Sequence, residues 1–90
     1  MKKSITLLVF SDPGHGWVRF SKTRLAELGI ADKISMYSYQ NGNNAFLEED
    51  CDLSVLANAL RDKGYEIKYN VNNSNRSSKI RSFERYQFTN

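Results

Sequence analysis

Hydrophobic residues along the chain follow two rhythms, one of strands and one of helices. Residues 4 to 10, SITLLVF, are almost continuously apolar and β-branched, the pattern of a strand covered on both faces or lying centrally in a sheet. WVRF at 17 to 20 alternates, Trp17 and Arg19 against Val18 and Phe20. Ser21 then opens a short helix as its N-cap, with Leu25 and Leu28 on one face and Gly29 at the left-handed end. ISMYSY at 34 to 39 alternates again, QNGNN offers a hairpin turn through Asn-Gly, and AFLEE returns. Asp50 or Asp52 caps a longer helix in which Leu53, Leu56, Ala57 and Leu60 fall at i, i+3, i+4 and i+7, with Gly64 past its end. YEIKYN at 65 to 70 makes a last strand. A polar loop, VNNSNRSSK, then leads into IRSFERYQF, where Ile80, Phe83 and Tyr86 are spaced to lie along the body as a short helix or strand.

The succession ββαββαβ predicts an α+β fold: an antiparallel sheet of about five strands with two helices on one face. It reads as a ferredoxin-like βαββαβ core with an added N-terminal strand. Ninety residues allow one core, so residues 1–90 form a single domain, with 71–90 as a C-terminal segment that its apolar residues would dock.

Composition changes this picture little, and charge changes it more. Hydrophobic content of 40% and charged content of 26% are ordinary globular values and argue against disorder. The apolar run near the N-terminus is too short for a signal core or a membrane span, and Cys51 has no second cysteine to pair with, so the expected setting is cytoplasmic. Residues 1 to 72 carry nine basic and nine acidic side chains. The whole net charge of +3 lies in the last eighteen residues, where Arg76, Lys79, Arg81 and Arg85 face only Glu84. A neutral body with a basic end makes that end, and not the whole fold, the candidate contact for an anionic partner.

Residues 11 to 17, SDPGHGW, gather the only proline, histidine and tryptophan of the chain. Asp-Pro-Gly is turn chemistry. The functional alternative makes His15 a general acid or base oriented by Asp12, but no nucleophile or oxyanion signature accompanies it. Trp17 is either core at the sheet edge or an exposed anchor for a partner. Glu48, Glu49, Asp50 and Asp52 favour the start of the second helix through its dipole, and alternatively offer an acidic docking surface; they lack the calcium-loop spacing. Cys51 reads as structural, and no cofactor or metal is expected. Tyr37, Tyr39, Tyr65 and Tyr69 on strands could stack unpaired bases on a helix-free sheet face, although the RNA-recognition signatures are absent.

SDPGHGW, LGIADKIS, SYQNGN, FLEEDCD and NRSSKIRSFE together resemble a small protein family encoded in tailed-bacteriophage genomes, over nearly the whole chain. That family carries no assigned activity, so the resemblance transfers no site residue. It implies a context: a phage accessory protein in the host cytoplasm that binds and diverts a host protein, without catalysis. Asp12, His15, Trp17, Glu48, Glu49, Arg76, Lys79, Arg81 and Arg85 are the candidate contacts. Single-strand nucleic-acid binding by the tyrosines and the basic segment is the alternative, and self-association at an open sheet edge stays open.

Overall fold

The computed structural model describes residues 3–76 and 78–88. Strand β1 (Lys3–Ser11) forms a hairpin with β2 (Gly16–Ser21), joined by the DPGH turn. Helix α1 (Lys22–Glu27) follows, then a 3-10 turn at Ala31–Lys33, strands β3 (Tyr39–Asn41) and β4 (Asn44–Glu48), helix α2 (Leu53–Asp62) and strand β5 (Tyr65–Asn73). The C-terminal segment adds a 3-10 turn, Lys79–Ser82, and a two-residue strand β6 (Glu84–Arg85).

The expected α+β class holds, with two helices, but the sheet differs from the expectation in two respects. It has six strands in the order β5-β1-β2-β4-β3-β6, and it is mixed, because β1 and β5 run parallel while the other neighbours are antiparallel. The N-terminal strand is not appended outside a ferredoxin-like core. It is inserted between β5 and β2, so the crossover through α2 from β4 to β5 steps over two strands, where a split βαββαβ unit steps over one. The near-continuous apolar run of β1 explains its central place. Leu7 and Val9 enter the helix-side core, and Phe10 packs on the opposite face.

Two cores therefore sandwich the sheet. On the helix side Leu7, Val9, Val18, Phe20, Ala45 and Leu47 meet Leu25, Leu56 and Leu60. On the other side Trp17, Phe46 and Ile80 are buried, with Phe10, Tyr39 and Phe83 packed around them. Ile80 and Phe83 belong to the C-terminal segment, which leaves β5 at one edge and crosses the helix-free face. It then pairs as β6 with β3 at the far edge and delivers Tyr86 into the helix-side core.

Ser21 caps α1 as expected, its hydroxyl accepting from Arg24 N–H. Three other local expectations fail for identifiable reasons. ISMYSY is not a strand; only Tyr39 belongs to β3, because Ser35 and Ser38 turn inward to donate to the buried Asp52 carboxylate, leaving Met36 and Tyr37 exposed. Asp52 occupies the N-cap position of α2 but makes no side-chain cap, its oxygens being taken by Ser35 and Ser38. The hairpin turn centres on Gly42-Asn43 instead of Asn41-Gly42, since Asn41 pairs with Asn44, and only Gly42 has positive φ, +62°. No helix among the described residues is long and apolar enough to cross a membrane.

Candidate functional site

The DPGH turn is held from within. Asp12 Oδ1 accepts from Gly14 N–H and His15 N–H, each at 3.0 Å, an arrangement that aspartate in a turn makes with its own downstream backbone. Its other partners come from the C-terminal segment. Ser78 N–H donates to Oδ2 at 2.9 Å, and Arg81 donates through Nε to Oδ2 at 2.7 Å and through Nη2 to Oδ1 at 2.8 Å. This bidentate pair is the one ion pair among the described residues. The Arg81 guanidinium, then the Ser78 N–H, hold the Asp12 carboxyl well below the usual carboxylate range, and Asp12 in turn raises Arg81. Asp12 and Arg81, both candidate contacts for a partner, thus spend their charge on each other.

Arg81 also lies over the Trp17 ring, 5.4 Å from its centroid, and His15 meets the same ring edge-on at 6.0 Å. Trp17 is completely buried, which overturns its reading as an exposed anchor. Its sheet position explains this, for it faces the helix-free side where Ile80 and Phe83 come down on it. The indole Nε1 is buried without a hydrogen-bond partner.

The acidic cluster abuts the same turn. Glu48 pairs with Trp17 across β2 and β4 and is itself buried, and Glu49 N–H donates to Gly16 O at 2.9 Å. The Glu49 side chain lies close over Gly16, so that a Cβ there would push the exposed carboxylate aside. Glu48 does not present a carboxylate to a partner. Its Oε1 accepts from Asp50 N–H at 3.3 Å, and its carboxylate beside the Cys51 thiol, with desolvation and the neighbouring Asp52 and Asp50, pushes that thiol up to about 11. A thiol so placed stays protonated at neutral pH and is a poor nucleophile. Among the described residues no group of three or more His, Cys, Asp or Glu side chains could hold a metal ion.

Arg85 stacks over Tyr39 at 4.6 Å and donates to Tyr37 O at 3.4 Å, while Arg76 lies exposed in the loop after β5. The four strand tyrosines do not share a face. Tyr37 sits in a turn, Tyr39 lies on the helix-free side, and Tyr65 and Tyr69 are on the helix side of β5.

What the helix-free face does present is a groove of about 330 Å3 between the sheet and the C-terminal segment. Phe10, Phe46 and Phe83 form its aromatic floor, with centroids 6.3 Å apart for the first pair and 5.1 Å for the second. Exposed Arg19 and Lys79 stand on its rim, Arg19 lying 5.9 Å over the Phe10 ring, and the amides of Asn41 and Asn44 line it as well. Of these, sequence reasoning singled out Lys79 as a contact and Phe83 only as a residue that docks the C-terminal segment. The signal for Arg19 lay in WVRF, whose alternation puts it on the same side as Trp17; the three phenylalanines come from β1, β4 and the C-terminal segment, and only the tertiary fold collects them. Comparisons of the chain with protein-family models, with curated proteins and with solved structures find no match.

Proposed function

We propose that this protein acts by binding a partner protein, and that the groove on the helix-free face receives an apolar segment of that partner bearing a carboxylate. The single observation that carries this reading is the pairing of a phenylalanine floor with two cations, Arg19 and Lys79, neither of which has an acidic partner among the described residues. An aromatic floor with a few placed polar groups is the usual make-up of a recognition pocket. A binding role accords with the commitments of the polar side chains: Asp12, which would have to orient His15 as an acid or base, is taken by Ser78 and Arg81, and Asp52 by Ser35 and Ser38. With the resemblance to phage-encoded proteins, the partner would be a protein of the bacterial host.

The alternative, single-stranded nucleic acid, draws on the same aromatic floor, since bases stack on such surfaces. Against it, a phosphate backbone is tracked by a line of cations, and here the charge of Arg81, in the middle of the basic segment, is spent on Asp12. A random-peptide display selection, followed by anisotropy titration of the selected peptides and of a fluorescent oligothymidine, separates the two. The expected result is enrichment of peptides with Asp or Glu beside an apolar residue, with affinity falling at least about tenfold, the equivalent of about 1.4 kcal/mol, in an Arg19→Ala, Lys79→Ala double variant. Absence of enrichment, or oligothymidine binding that is tighter and lost in the same variant, overturns the reading.

A further inference from the structure

Strand β5 closes one edge of the sheet, and among the described residues no strand neighbours its outer side along Tyr65–Asn73. Natural proteins guard such edges by shortening them, bulging them or placing Pro or Lys on them. Here β5 stays in unbroken register with β1 from Lys3↔Tyr65 to Ser11↔Asn73, contains no proline, and has one lysine, Lys68, on the helix-free side. Tyr69 and Val71 are 45% and 51% exposed on the helix side. The cause is length: a nine-residue strand spans about 30 Å and a ten-residue helix about 15 Å, so α2 covers only the first half of β5.

The direction of the free backbone groups follows from the ladder with β1. Ser74 N–H donates to Ser11 O at 2.8 Å, so the even-numbered residues of β5 turn their backbone groups toward β1. Tyr65, Ile67, Tyr69, Val71 and Asn73 therefore present N–H and C=O outward.

We propose that a second copy of the chain adds to this edge, β5 against β5, antiparallel about a two-fold axis through Tyr69. In that register every residue of β5 has a partner. Tyr69 meets Tyr69, Ile67 meets Val71, Lys68 meets Asn70 and Glu66 meets Asn72, so apolar faces apolar and no like charges oppose. Neighbouring registers are worse. An axis on Lys68 sets two lysines against each other, one on Asn70 leaves Tyr65 and Glu66 unpaired, and one on Ile67 pushes Val71 past the strand end at Gly64. The axis is perpendicular to the sheet, so the helices of both copies stay on one side. The bare Val71 of each copy then lies beside the other's Ile67, at the flank of its α2.

Sedimentation equilibrium from low micromolar to millimolar chain tests this, with the mass expected to rise toward twice 10.4 kDa. Val71→Pro removes an outward N–H that β1 does not use, and Tyr69→Lys puts like charges across the axis. Each is expected to keep the cooperative melt and hold the protein at 10.4 kDa throughout. In a Cys51→Ser background a short bismaleimide should link Tyr69→Cys pairs but not Asn73→Cys pairs, which the antiparallel register places about 27 Å apart. The proposal is overturned by a wild-type mass that never rises, by association that survives both variants, or by equal linkage at both cysteine positions.

Discussion

Asp12 gathers five donors on two carboxylate oxygens, three of them from residues more than sixty positions away. Its turn role was legible in the sequence, because Asp-Pro-Gly demands it; its ion pair was not, since nothing local marks Arg81 as the partner among the basic residues of the C-terminal segment. The pH consequence is specific. A carboxyl held below its ordinary value of 3.8 contributes stability that is present above that value and is lost as pH falls from it toward the folded-state pKa. Asp12→Asn should lower the melting temperature by several degrees at pH 7, and the gap to wild type should narrow in melts taken below about pH 4. A gap that stays constant to strongly acid pH would mean that Asp12 does not titrate as its partners require. Trp17 and His15 teach the complementary lesson. Turn chemistry explains neither, and the structure answers by setting the His15 ring perpendicular to that of a Trp17 that is wholly buried.

At the scale of elements the C-terminal segment is the part whose role the sequence least revealed. Ile80, Phe83 and Tyr86 were recognisable as residues that ought to dock, but their spacing suits a single helix face, whereas Ile80 and Tyr86 enter cores on opposite sides of the sheet. The segment does this by turning at Lys79–Ser82, pairing Glu84–Arg85 with β3, and anchoring Tyr86 through its hydroxyl on Ala31 O at 2.6 Å. Ile80 is the buried plug over Trp17. Ile80→Ala should cost about 2 to 5 kcal/mol through lost burial and the cavity left behind. Because Trp17 is the only tryptophan, acrylamide quenching of its fluorescence reports the opening directly. Quenching should rise in the variant before global unfolding, and unchanged quenching would count against Ile80 as the seal. ISMYSY shows the opposite error: strict alternation promised a strand, and the buried Asp52 carboxylate drew the two serines out of that pattern.

For the whole molecule, the same segment joins both cores and closes one sheet edge, so its removal should be felt everywhere. A chain ending at residue 77 would uncover Trp17, Phe46 and Phe10 and leave the place of Tyr86 in the helix-side core empty. It is expected to lose its near-ultraviolet circular dichroism and bind a hydrophobic dye such as ANS while keeping much of its secondary structure. A truncated chain that still melts cooperatively would show the segment to be dispensable. The sequence by itself determined the class of the fold, both helices, most strand positions, the DPGH turn and the neutral body with its basic end. These rest on periodicity and turn chemistry within a few residues of one another. Only the tertiary structure decided that β1 lies between β5 and β2, that Arg81 belongs to Asp12, and that three distant phenylalanines floor one groove. Each of those depends on which strands become neighbours, and that follows from how two sheet faces are jointly covered, a property no local pattern contains.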